Sequence, residues 1–177
     1  MNRPITIAVE GCCHGELDAI YKAIEESQRS VDLLLICGDF ESIEREEDLN
    51  NVAVPPKYRA MNTFHQYVTG EKVASVPTIF VGGNHEASNI LQSLYYGGYV
   101  APNIYFLGFA GCVTFGHLRI SGVSGIHNDR HYKLGHYEIP PYVNMLYILT
   151  LHFYCHIPYL VVHWLALILL YHASNSL

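Results

Sequence analysis

Three short apolar runs punctuate the first half of the chain: Ile5–Val9, Val31–Ile36 and Val76–Val81. Each is rich in aliphatic or β-branched residues and bounded by polar or glycine positions, the pattern of a buried strand. Between the first two, Glu16–Ser27 sets Leu17, Ile20, Tyr21 and Ile24 on one helical face. Strand, helix and strand within about thirty residues predict a βαβ unit with parallel strands and a right-handed crossover. The acidic run Glu41–Asp48 predicts a solvated loop or helix start, and Pro55-Pro56 breaks the chain. Lys57–Thr69 then predicts a helix with Tyr58, Met61, Phe64, Tyr67 and Val68 as its apolar face. Ala87–Leu94 reads as a helix start with Ser88 and Asn89 near its cap, and the Gly- and Tyr-rich Tyr95–Pro102 as a loop. Ile104–Leu107, Gly111–Thr114 and Leu118–Ser121 predict short strands, the last two joined in a hairpin through Phe115-Gly116-His117. The segment Ile126–Glu138, polar and aromatic, reads as a surface loop.

Each of the three apolar runs ends in a tight turn carrying metal-competent side chains. The turns are Gly11-Cys12-Cys13-His14-Gly15, Gly38-Asp39 and Gly82-Gly83-Asn84-His85-Glu86. Alone, any of these residues has an ordinary capping or turn role. Three in register point to an active site, because strand C-termini are where α/β folds gather functional groups. Asp39 can bridge two dications, and Asn84 offers a neutral amide oxygen. His85 beside it can stay off the metal as a general acid. Cys12 and His14 point to one side of an extended turn, and Cys13 to the other, into the core. A thiolate with an imidazole favours Zn or Fe over Mg. Gly82 and Gly83 leave room for a phosphate to approach the backbone.

Charge divides the 177 residues unevenly. All 10 Lys/Arg and all 16 Asp/Glu lie at or before Glu138, leaving the last 39 residues with no charged side chain other than histidine. The net charge of −6 argues against a nonspecific polyanion binder, although bound dications offset carboxylates locally. The five cysteines, at 12, 13, 37, 112 and 155, are odd in number and irregularly spaced, which predicts a reducing interior. The N-terminal apolar run is too short for a secretory leader.

Hydrophobic strand, then DxH, GD and GNHE in that order, is the pattern of the calcineurin-like metallophosphoesterases. Here Cys12 stands where that superfamily has the Asp of DxH. With that change the chain resembles the RNA lariat debranching enzyme family. GCCHGELD, VDLLLICGDF, AVPPKYR, VGGNHEASN, YGGYVAPNIYFLG and GHYEIPPY carry the likeness over residues 5 to 142. The resemblance implies an α/β, metallophosphoesterase-type β-sandwich flanked by helices. It implies hydrolysis of the 2′–5′ phosphodiester at intron branch points by a metal-bound hydroxide, in the nucleus, with branched intron RNA as partner. The cofactor is a divalent metal (Fe, Zn or Mn), two ions in the complete family site. Cys12, His14, Asp39 and Asn84 are the implied metal residues and His85 the acid on the leaving oxygen. Residues 127 to 138 match the lariat-recognition loop. There Arg130 and Lys133 can meet phosphates, and His127, His131, Tyr132, His136 and Tyr137 can stack on bases.

After Tyr142 the likeness stops. The expected division is 1–142, the N-terminal part of a metallophosphoesterase domain, and 143–177, an unrelated apolar tail compatible with a helix. The later family histidines, in SHD and HxH contexts, are absent. His152 and His156 have helical ligand spacing but lie in the wrong context. The domain is therefore read as incomplete at its C-terminus, with second-sheet strands missing, and the chain as weak or inactive. The alternatives are a catalytically dead branched-RNA-binding module, a membrane-anchored protein through the tail, or a phosphatase for small phosphomonoesters.

Overall fold

Leu33–Ile36, four aliphatic residues in a row, form a strand with both faces buried, as a central parallel strand requires. A computed structural model describes residues 3–52 and 54–125 and the backbone of 167–172. In it this strand, β2, lies between β1 (Ile7–Glu10) and β3 (Thr78–Phe80), parallel to both. The helix α1, Leu17–Glu26, connects β1 to β2 and buries Leu17 and Tyr21. The Tyr21 hydroxyl meets Thr78 Oγ1 on β3 at 2.7 Å, tying the crossover helix to the sheet.

The helix α2 (Phe64–Val68) precedes β3, and α3 (Ser88–Ser93) follows it. β5 (Ile104–Phe106) pairs parallel with β3, and β4 (Gly98–Ala101) pairs antiparallel with β5. The five-stranded sheet therefore runs β1-β2-β3-β5-β4. A second sheet is antiparallel, in the order β6 (Ala110–Phe115), β7 (Leu118–Val123) and β8 (Leu167–His172).

Alternation along the parallel strands sorts the core into two layers. Leu34, Ile36, Phe80, Ile104 and Phe106 point to the helices and meet Leu17, Tyr21, Phe64, Tyr67 and Leu91. Leu33, Leu35 and Ile79 point the other way and pack with Ile120, Val113 and Phe115 of the second sheet. Helices on one face and a sheet on the other give the expected α/β sandwich with flanking helices. On the helix side the Phe80 ring stacks on Phe40 at 3.9 Å and lies 5.1 Å from Phe106.

Several elements differ from expectation, each for a local reason. β1 is the sheet's edge rather than a fully buried strand, and Val9 is 64% exposed. The 57–69 stretch is not one helix. Pro56–Tyr58 is a 3-10 turn, and only Phe64–Val68 is helical. Asn62 at φ +45° breaks the run, and its amide reaches back to the His14 carbonyl at 3.4 Å. Tyr95–Pro102 contains strand β4. Gly97 at φ +91° turns the chain into it, and Tyr99 packs across on Tyr105 at 5.0 Å. The acidic 41–48 segment is partly internal: Glu41, Ser42 and Asp48 are buried. Asp48 accepts the Glu44 and Arg45 N–H groups on one oxygen and the Asn89 amide on the other.

The expected hairpin through Gly116 and His117 is present. Within 143–177, where a helix was one expectation, Leu167–His172 is a strand paired with β7. Among the described residues no helix is long and apolar enough to cross a membrane. The 126–138 loop, and with it His127, Arg130, His131, Tyr132, Lys133, His136 and Tyr137, lies outside the described residues.

Phe80→Ala removes the middle ring of a fully buried aromatic stack. It is expected to cost about 3–5 kcal/mol in urea unfolding. Tyr96→Ala, at a residue 88% exposed, is expected to stay within about 0.5 kcal/mol.

Candidate metal centre

The strand register brings the three turns together. Glu10 of β1 pairs with Ile36 of β2, and Ile36 with Phe80 of β3, so the strands end in one row. The turns that follow are laced by main-chain bonds. Cys13 N–H donates to the Gly38 carbonyl at 3.2 Å, and His14 N–H to the Asp39 carbonyl at 2.6 Å. Asp39 Oδ1 accepts the His85 N–H at 2.9 Å, which joins the second turn to the third.

The result is a compact donor set. One ligand atom each from Cys12, His14 and Asp39 lie within 4.8 Å of one another. Cys12 is exposed at the mouth, Asp39 is buried, and Cys13 points into the core as expected. His14 reaches the cluster by a different route from the extended turn predicted. It has φ +46°, and Asp39 and Glu41 stand at +41° and +58°. Left-handed backbone at non-glycine residues is uncommon and persists where surrounding structure enforces it, as at functional sites. Here the cross-turn hydrogen bonds enforce it.

His85 sits on the other side of Asp39. Its Nδ1 is 3.3 Å from Asp39 Oδ2, in a contact not aligned as a hydrogen bond. The His14 and His85 rings are 5.5 Å apart. Asn84 lies half-buried between Gly83 and His85 in the same turn.

Gly82 and Gly83 are glycine for a different reason from the one expected. A Cβ on Gly83 would fall 2.0 Å from Asp39 Oδ1, and one on Gly82 2.9 Å from Leu91 Cδ1. The space each leaves open is filled by the protein itself and not kept for a phosphate.

Three polar residues not singled out in the sequence hold the assembly. Glu86 Oε1 accepts N–H bonds from Phe40 and Gly83, both at 2.8 Å, and Oε2 accepts Glu41 N–H at 2.9 Å. Burial pushes the Glu86 carboxyl up to about 8, against the pull of those three N–H donors. Glu41 is buried and its Oε1 lies 3.4 Å from His14 Nδ1. Its carboxyl is also raised, by burial first, with His14 opposing. Ser124 accepts Gly82 N–H at 2.9 Å and donates to the Gly108 carbonyl at 2.7 Å, clasping the third turn from the second sheet. Glu86 was legible as the last residue of GNHE, whereas Glu41 was hidden in an acidic run.

The donor set suits a cation. Burial, then the Asp39, Glu10 and Glu86 carboxylates, raise the Cys12 thiol. The ion-pair partners of Asp39 and Glu41 are imidazoles. A dication between Cys12, His14 and Asp39 would relieve the crowding of acidic groups and draw the thiol to thiolate.

Comparison with known proteins places the chain in a family. The family model for calcineurin-like phosphoesterases matches residues 5–172, and the chain belongs to that family. It is 58% identical to the lariat debranching enzyme of Arabidopsis thaliana over 140 residues, 77% of this chain and 34% of that protein. The lariat debranching enzymes of Mus musculus and Homo sapiens are 59% and 58% identical over 140 residues, 77% of this chain and 26% of each of those proteins. The chain thus spans about a quarter to a third of the length of these curated relatives.

Gly83→Ala is expected to push Asp39 out of place and weaken Co²⁺ binding by about 10–100-fold, read by titration. An affinity equal to wild type would contradict the packing role. Glu86→Gln sets an amide NH₂ against at least one backbone N–H. It is expected to lower stability to guanidinium by about 1–3 kcal/mol.

Proposed function

We propose that the chain carries the N-terminal part of a metal-dependent phosphodiesterase site for the 2′–5′ bond of branched intron RNA, working in the nucleus. The observation that carries this reading is the cysteine-containing centre, Cys12 with His14 and Asp39 within 4.8 Å, in a chain 56–59% identical to lariat debranching enzymes. Cys12, His14 and Asp39 would hold one divalent ion, with Asn84, in the third turn next to His85, as the donor toward a second. The thiolate and imidazole favour Fe or Zn, and Mn is tolerated. Such an ion supplies Lewis acidity toward the phosphate and acidifies a water.

The chain's own groups do the rest. Asp39 anchors the third turn through the His85 N–H and keeps the His85 ring beside it at 3.3 Å. His85 is half-buried and carries the proton to the departing 2′ oxygen, the task of a general acid. Cys13 and Phe40, each next to a metal residue and each buried, hold those residues against the core. Arg130, Lys133, His127, His131, Tyr132, His136 and Tyr137 are the proposed contacts to the branched RNA. The histidines in SHD and HxH contexts that the resemblance assigns to the second ion are not among these 177 residues, so the 177 residues by themselves are expected to hold a second ion weakly.

The test is a synthetic 2′–5′ branched RNA incubated with the 177-residue chain and Fe, Zn or Mn in turn. Slow, metal-dependent cleavage at the branch is expected, falling a further ~10²–10⁴-fold in His85→Ala. Hydrolysis of p-nitrophenyl phosphate with the branch left intact would overturn the substrate assignment. Branched-RNA binding with no cleavage under any metal would leave the chain a binder.

A further inference from the structure

The His14 ring faces a carboxylate at each nitrogen. Its Nε2 lies 3.8 Å from Asp39 Oδ2. Its Nδ1 lies 3.4 Å from Glu41 Oε1, within hydrogen-bond reach. The His14 side chain is 47% exposed and that of Glu41 only 9%, so the carboxylate approaches from the protein side. Glu41 is fixed in turn: its N–H is bonded to Glu86 Oε2 at 2.9 Å, and its backbone is held at φ +58°.

A metal-binding imidazole needs its ligating nitrogen unprotonated, and a carboxylate accepting the proton of the other nitrogen secures that tautomer. We propose that Glu41 is a positioning residue that holds His14 with its proton on Nδ1, leaving Nε2 to the metal beside Asp39 and Cys12. This inference rests on the reading of Cys12, His14 and Asp39 as a metal centre, and not on the identity of the RNA. Glu41 also lies within 4.8 Å of ligand atoms of both His14 and His85. The competing assignment is therefore direct ligation of an ion by Glu41.

Two readouts on the full chain separate these assignments. The tautomer of His14 is read by long-range ¹H–¹⁵N correlation on the metal-free protein. Cobalt uptake is read from the Cys12 thiolate charge-transfer band and the number of ions bound. Wild type and Glu41→Gln, whose amide oxygen can still accept, are expected to keep the proton on Nδ1. Glu41→Ala is expected to relax to a mixture of tautomers and to need about 10–100-fold more cobalt for the same band, with the ion count unchanged. Glu41→Asp withdraws the oxygen by one methylene and is expected to follow Ala, so it serves if the Ala variant does not fold. The proposal is overturned if these variants keep the wild-type tautomer and bind cobalt within twofold of wild type. It is equally overturned if they lose one bound ion while the tautomer stays, which would make Glu41 a ligand. A wild-type chain that takes up no cobalt would instead sink the metal-centre reading, while the tautomer comparison still decides what Glu41 does.

Discussion

The carboxylate of Glu86 is fully enclosed and accepts three main-chain N–H groups, two from the Asp39–Glu41 turn and one from its own. The turn that presents Asp39 has no helix or strand to satisfy its amides, and buried amides without partners are costly. Glu86 gives them partners. Through them it sets where Asp39 stands, and so where His14 and His85 stand beside it. The left-handed backbone at Asp39 and Glu41 is tolerable because this carboxylate, with the cross-turn bonds from Cys13 and His14, leaves the chain no better alternative.

The sheet supplies the coarse positioning and the turns the fine. In-register parallel strands deliver three chain ends to one edge, and rigid strands carry less positional error than loops. The aromatic stack beneath continues that order upward. Phe40 is the residue after Asp39 and its ring lies 3.9 Å from the Phe80 ring, so the Asp39 turn is anchored to the core by its own neighbour. Ser124 adds a tie from the second sheet, which makes the sandwich part of the site's support and not merely a cover.

Legibility followed range. Cys12, His14, Asp39 and His85 could be read because each follows an apolar strand within a few residues, a local signal. The βαβ unit and the 115–118 hairpin were legible for the same reason. Glu41 and Ser124 work through partners 27 and 42 residues away, and no local pattern marks such pairings; Glu86 stood out as the end of GNHE, but its hold on Phe40 and Glu41, 46 and 45 residues away, did not. Periodicity favoured one helix over 57–69, but a tertiary contact from Asn62 to the first turn won over propensity. β4 was obscured by its glycines and tyrosines, which look like loop composition until Tyr99 finds Tyr105 across the ladder.

The Ser124 clasp has a consequence for how the molecule comes to be. By Glu86 a chain emerging in order has all three turns of the candidate centre, but Gly82 N–H still lacks its acceptor, which arrives 42 residues later. Until β6 and β7 fold back on the first sheet, Leu33, Leu35 and Ile79 also have no cover on that face. Long loops must close before their contacts repay the entropy. The candidate centre thus depends for its final support on contacts that close late in the sequence, and the turns that carry Cys12, Asp39 and His85 are complete in the chain before the residue that clasps the third of them.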